Sequence, residues 1–175
     1  MVIGVLRLEH RISRDKRITS HVFLSARAFG ADFGLLTGGR DHNILKSLEE
    51  VSETWGGEFD LKYCKDTLKA IRECKHRGFK IVHLTVYGLP IKEKISELRG
   101  FKDLLIIVGG AKVPREIYNL SDYNISVGTQ PHSEVAALAI FLHEYHQGKE
   151  LDFTFQDAKL TVEPREKGKK VLKRT

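Results

Sequence analysis

Two short runs constrain this chain more than anything else in it: Lys80–Val86, KIVHLTV, and Asp103–Val108, DLLIIV. Neither shows the in-out alternation of a strand with one wet face. Both read as strands buried on both sides. Between them Ile91, Ile95 and Leu98 recur at helical spacing and mark a short helix. Buried strands separated by helices imply a parallel sheet covered on both faces.

The rest of the chain repeats that alternation. Val2–Leu8 is a short apolar strand. Asp15 stands where it would cap a helix reaching about Ala28, with Ile18, Val22, Ser25 and Phe29 on its inner side. Phe33–Thr37 reads as a strand ended by Gly38-Gly39. Asp41 caps the next helix, whose stripe is Ile44, Leu48, Val51 and Trp55 and which Gly56-Gly57 stops. Glu58–Tyr63 is a weaker strand, and Lys65–Arg77 a helix with Leu68 and Ile71 inward. A brief helix after Pro114 leads to a sixth strand, Tyr123–Val127, and then to an apolar helix ending near Gly148. The expected fold is therefore α/β, a parallel six-stranded sheet with helices on both faces. It forms one domain over residues 1–150. Residues 151–175 form an appendage: LDFTFQDAKLTVEP, read as a β-hairpin turning near Asp157, then a basic tail.

Composition narrows the function. At 175 residues, 41% hydrophobic and 30% charged, the chain is an ordinary globule. No apolar run approaches a membrane span. The opening MVIGVLRLEHR places apolar residues before charged ones, the reverse of a secretory signal, so a cytoplasmic location is expected. Cys64 and Cys74 match no metal spacing, and no structural zinc is expected. Net charge is +6, carried unevenly. Residues 165–175 sum to +5 and residues 1–17 to +3, leaving the middle slightly acidic. A basic start and a basic tail point to a polyanion partner, most simply nucleic acid. A solvated tail is the plain alternative.

In sheets of this kind ligands bind beyond the carboxyl ends of the strands. Three such ends carry glycine and proline together: His83–Pro90, Val108–Pro114 and Gly128–Ser133. Glycines there let a ligand lie against the backbone, and prolines fix the return path. Three loops of this type at one end of a sheet suggest a pocket. The chain has no G-x-G-x-x-G, no P-loop and no G-x-S-x-G elbow, which disfavours dinucleotide, ATPase and α/β-hydrolase chemistry.

DLLIIVGGAKVP followed by YNISVGTQPHSEVAALAIFLHE resembles the carboxyl-terminal half of SPOUT methyltransferases. VLRLEHRISRDKRITSHV and IVHLTVYG extend the likeness to the archaeal tRNA cytidine-56 2′-O-methyltransferase family over roughly residues 1–150. The resemblance implies several things that spacing alone does not. The fold would contain a deep trefoil knot in its carboxyl-terminal part. The enzyme would be a homodimer, would need no metal, and would methylate the ribose 2′-hydroxyl of cytidine 56 in the T-loop of tRNA. S-adenosylmethionine would lie against Leu84, against Gly109, Gly110, Ala111, Lys112, Val113 and Pro114, and against Gly128, Thr129, Gln130, Pro131, His132, Ser133, Glu134 and Val135. His132 or Glu134 would either cap the last helix or line the pocket mouth.

The resemblance also directs the chemistry to the helix after the first strand. Arg14, Arg17 and His21 lie at i, i+3 and i+7, on one helix face. The implied catalytic set is Arg17, with His21 and Asp15 behind it. Arginine side chains remain protonated in proteins, so Arg17 would hold the neighbouring phosphate and orient the hydroxyl. Histidine is the residue type that exchanges protons near neutrality. Arg7, His10, Arg11, Arg14 and Lys16, with the tail lysines, would contact RNA phosphates. One other string, Arg77–Leu84, has the look of an RNA-recognition-module motif, but of its diagnostic aromatics it keeps only Phe79. The competing readings are a non-catalytic tRNA- or nucleotide-binding protein and a methyltransferase with a different RNA target.

Overall fold

The computed structural model describes residues 1–110 and 112–174. Six parallel strands form one sheet: β1 (Val2–His10), β2 (Phe33–Gly38), β3 (Asp60–Tyr63), β4 (Lys80–Pro90), β5 (Asp103–Val108) and β6 (Tyr123–Ser126). They stand in the order β3-β2-β1-β5-β4-β6. The helices are α1 (Lys16–Ala28), α2 (His42–Trp55), α3 (Thr67–His76), α4 (Ile91–Leu98), α5 (Arg115–Leu120) and α6 (Glu134–His146).

The run DLLIIV shows why the strands are apolar throughout. Side chains alternate across a strand. Leu104 and Ile106 enter the core under α1, α2, α4 and α6, whereas Leu105 and Ile107 enter the one under α3 and α5. All four are fully buried, each contributing about 1.5–3 kcal/mol. Strand order reverses between β1 and β5: the chain winds outward from β1 to β3, then returns to build β5, β4 and β6 on the other side. Such a reversal opens a crevice at the carboxyl ends.

Three expectations needed correction. The inner side of α1 is Thr19, Val22, Phe23 and Ala26, and Ile18, Ser25 and Phe29 are only half-buried. Hydrogen bonding to buried His10 draws Thr19 inward, which an apolar pattern does not reveal. β4 runs on to Pro90, past Val86. Leu84 and Leu89 both pair with Ile125 of β6, and the residues between them arch outward. A side chain at Gly88 would put its Cβ 2.5 Å from the Asn124 and Ile125 backbone, so only glycine allows the arch to lie this close to β6. In the appendage, Lys149–Asp152 is a turn of 3-10 helix, and the hairpin lies further along than the sequence suggests. Its strands are β7 (Leu160–Val162) and β8 (Val171–Lys173), so the basic tail itself supplies the second strand.

Candidate active site

The carboxyl ends of β1, β4, β5 and β6 surround a cleft of about 550 Å³. Its floor is apolar, formed by Leu84, Val108, Ile125, Val127 and Ala137. One wall is backbone and small side chains: Gly109, Gly110, Val113 and Pro131. The opposite wall carries charge, from Arg7, Arg11, Asp15 and Glu134.

The charged wall begins with a bulge in β1. Glu9 adopts φ 48°, a left-handed conformation, and pairing with β2 shifts register between Arg7 and His10. Thr37 secures the bulge, its hydroxyl donating to the Arg7 carbonyl and accepting from the Glu9 amide. Arg7 thus faces the cleft while His10 turns beneath α1, with Nδ1 2.9 Å from Thr19 Oγ1 and Nε2 3.5 Å from Asp41 Oδ2. Arg7 is the largest fully buried side chain, 2% exposed. It donates to the Leu8 carbonyl and pairs with Glu134 at 2.9 Å, tying β1 to the first residue of α6. Burial lowers the Arg7 pKa, and Glu134 opposes that shift. The carboxylate of Asp15 accepts two hydrogen bonds from the Arg11 side chain, at 2.9 and 3.0 Å, and one from its amide. Those bonds hold its pKa at about 2.

The floor holds one further polar group. Asn124 Nδ2 donates to the Tyr118 carbonyl, so its Oδ1 faces His83 Nδ1 at 2.9 Å and the proton sits on Nδ1. His83 is fully buried, which lowers its pKa and leaves it neutral. Its Nε2, an acceptor, has no hydrogen-bond partner among the described residues. Thr85 and Tyr118, 3.2 Å apart through their hydroxyls, stand beside it on the lining.

Leu84, Gly109, Gly110, Val113, Pro131, His132 and Glu134 share this cleft with Arg7, Arg11 and Asp15. Ser133 caps α6 by accepting from the Val135 amide, so neither His132 nor Glu134 does. Lys112, Pro114, Thr129 and Gln130 are exposed on the loops outside the lining, and Gly128 and Val135 are half-buried beside it. Ala111 lies outside the described residues. On the substrate side, Arg7 and His10 are buried and form no exposed phosphate-binding surface. Arg14 lies in the turn before α1, not on the helix; Lys16, Arg17 and His21 are exposed on α1 itself. Asp15 occupies the N-cap position without capping, because its carboxylate is turned to Arg11. Sequence reading placed His83 and Thr85 in one of the three pocket loops without giving either a role, and missed Tyr118; a histidine inside an otherwise apolar strand was the available signal.

A wider groove of about 650 Å³ runs between β2, β3 and α3, lined by Phe33, Leu35, Cys64, Ala70 and Cys74. It flanks the sheet edge rather than the strand ends, and burial pushes both thiols up, away from the reactive thiolate. Among the described residues, no group of three or more His, Cys, Asp or Glu is placed to hold a metal, and no helix is long and apolar enough to cross a membrane.

This α/β fold is shared with solved SpoU-type enzymes. The A. aeolicus TrmH/SpoU tRNA modifying enzyme shares the fold with a TM-score of 0.61 at 17% identity, over 86% of this chain and 76% of that one. The SpoU methyltransferase AviRb from Streptomyces viridochromogenes, solved in complex with AdoMet, matches with a TM-score of 0.58 at 15% identity, over 85% of this chain and 58% of that one. Residues 55–172 match the family described as tRNA ribose 2′-O-methyltransferase, aTrm56, and the chain belongs to this family. It is 54% identical over 167 residues to the tRNA (cytidine(56)-2′-O)-methyltransferase of Methanopyrus kandleri, covering 95% of this chain and 94% of that one. It is 52% identical over 175 residues to the enzyme of the same name from Thermococcus kodakarensis, covering 98% and 97%.

Proposed function

We propose that the chain transfers the methyl group of S-adenosylmethionine to the ribose 2′-hydroxyl of cytidine 56 in tRNA. The observation that carries this is the meeting of two unlike walls at one strand-end cleft, in a chain of a ribose methyltransferase family.

The cleft suits the donor. Its volume lies in the range of cofactor pockets. A Cβ at Gly110 would meet nothing within 4 Å among the described residues, so the backbone there is open to a ligand. Leu84, Val113 and Ala137 offer apolar cover for an adenine, and the start of α6 favours a carboxylate. The bound donor supplies an electrophilic methyl on a sulfonium.

The chain's own residues do the remaining work. The turn Arg11–Asp15 forms the rim of the cleft and leads straight into α1. Exposed Arg17, on the first turn of that helix, holds the phosphate beside the target ribose and presents the hydroxyl in line, with His21 one turn on. Buried His10 holds Thr19 and so fixes where that first turn stands. The new C–O bond would form as the methyl C–S bond breaks, the electron pair staying on sulfur as a thioether and the hydroxyl proton leaving to solvent water.

The reading has further parts. A trefoil knot in the carboxyl-terminal part belongs to this reading through the family likeness. Ala136 and Ile140, exposed on α6, support a homodimer packed along that helix. The catalytic body spans residues 1–150 and the appendage residues 151–175, and the enzyme works in the cytoplasm on its tRNA.

Incubation with tritiated S-adenosylmethionine and unmodified tRNA transcript, followed by mapping of the label, tests the proposal. Label on the cytidine 56 ribose is expected. Label on a base, or none with cofactor binding intact, overturns it. Arg17→Ala should lower turnover by about a hundredfold with cofactor affinity unchanged. A wild-type rate would reduce Arg17 to a surface residue.

A further inference from the structure

The most basic stretch of the chain, residues 165–174, lies far from the cleft. Helix α6 starts beside Arg7 at the carboxyl end of the sheet and runs to the other end, where the Tyr145 hydroxyl donates to the carbonyl of Phe101. The appendage is anchored there. Asp157 accepts from the Gly57 amide, the Lys159 amide donates to the Thr54 carbonyl, and the Phe155 ring lies against Gly57. The thirteen residues of α6 span about 20 Å, so the hairpin root is roughly that far from the cleft.

The hairpin is strongly basic. Residues 159–174 hold seven lysines and arginines against two acids. Glu163 is engaged by Arg165 and Lys170. Arg174 is turned back to the carbonyls of Phe155 and Gln156. Among the described residues, Lys167, Lys169 and Lys173 have no ion-pair partner, and all three are exposed. Lys167 and Lys169 flank Gly168, whose φ of 84° makes the tip of the turn. Free lysines on the tip and outer strand of a ribbon form a surface for a phosphate backbone, not a base-reading pocket.

We infer that the β7–β8 hairpin is a second RNA-binding surface, which holds the tRNA backbone away from the T-arm while the cleft holds the target nucleotide. This rests on the tRNA methyltransferase reading. Contacts 20 Å apart cannot converge on one nucleotide's phosphates. The hairpin would therefore contribute to binding of the whole folded tRNA and nothing to methyl transfer.

The triple variant Lys167→Ala/Lys169→Ala/Lys173→Ala tests this in the full-length protein, assayed on intact tRNA transcript and on an isolated T-arm hairpin RNA. On intact tRNA, KM should rise about tenfold at near-physiological salt, with kcat within about twofold of wild type. The slope of log KM against log salt should fall by about two, as expected for three lost phosphate contacts. On the T-arm RNA the variant should match wild type. Unchanged KM and salt slope on intact tRNA would show a merely solvated hairpin. An equal rise on both RNAs would place the hairpin on the T-arm itself; either result overturns the inference. A wild-type enzyme that labels neither RNA would instead defeat the methyltransferase reading.

Discussion

The two walls of the cleft solve opposite problems. The glycine wall presents backbone and must stay thin; a side chain there takes space from a ligand. The charged wall presents side chains and must stay put, since Arg7 and Glu134 hold β1 against α6. A buried charge is costly unless paired, so each partner of that bond depends on the other. The comparison separates residues that make room from residues that hold position, and it says where a substitution should be felt. On the charged wall, stability should move first. On the glycine wall, where the space is open as at Gly110, ligand affinity should move while stability stays.

The largest effect is expected at Arg7. Arg7→Met strands Glu134 against the buried end of β1, which should cost about 3–5 kcal/mol and lower Tm by roughly 10 °C. The double variant Arg7→Met/Glu134→Leu removes both charges and should regain much of that loss, because a matched apolar pair replaces a matched ionic one. Calorimetric melting of the three proteins checks this. A single variant as stable as wild type would mean that the pair holds nothing.

The glycine wall gives the intermediate effect, and its two glycines should behave differently. A Cβ at Gly109 would sit 2.8 Å from Val113 and 2.9 Å from Leu8, so Gly109→Ala should lose about 1–3 kcal/mol of stability by overpacking. At Gly110 the space is open among the described residues. Gly110→Val should leave Tm nearly unchanged and weaken S-adenosylmethionine binding at least about tenfold, since the branched side chain fills ligand space. Titration calorimetry with unchanged affinity would move the ligand off this wall.

The sequence revealed these walls unequally, and the difference is physical. Val108–Pro114 and Gly128–Ser133 were legible because glycine and proline at strand ends are local signals. The sheet was legible because β4 and β5 are apolar on both faces. Arg7 was not, because a basic residue near the amino terminus reads as surface until its partner is known, and that partner stands far along the chain at Glu134. His83 was hidden likewise: what fixes its tautomer is Asn124, on a neighbouring strand. The second strand of the hairpin was missed because Val171–Lys173 has too few apolar residues to show a pattern. Family likeness, in turn, supplied the expectation of a knot and of a cofactor, which no periodicity encodes.

The smallest effect tests whether the outer rim belongs with the charged wall. Asp15 is buried and Arg11 is half-exposed, so their bond is partly screened. The Asp15 pKa is depressed to about 2, chiefly by the Arg11 side chain. A depressed carboxyl stabilises the folded state above its unfolded value, near 4, and loses that contribution as pH falls through the folded value. Asp15→Asn should therefore melt roughly 1–3 °C below wild type at pH 7. The gap should hold down to about pH 4, narrow below that, and close near pH 2. Melting curves of both proteins across that range decide the matter. A gap independent of pH would assign the loss to packing, and Asp15 would then support the turn before α1 by shape and not by charge.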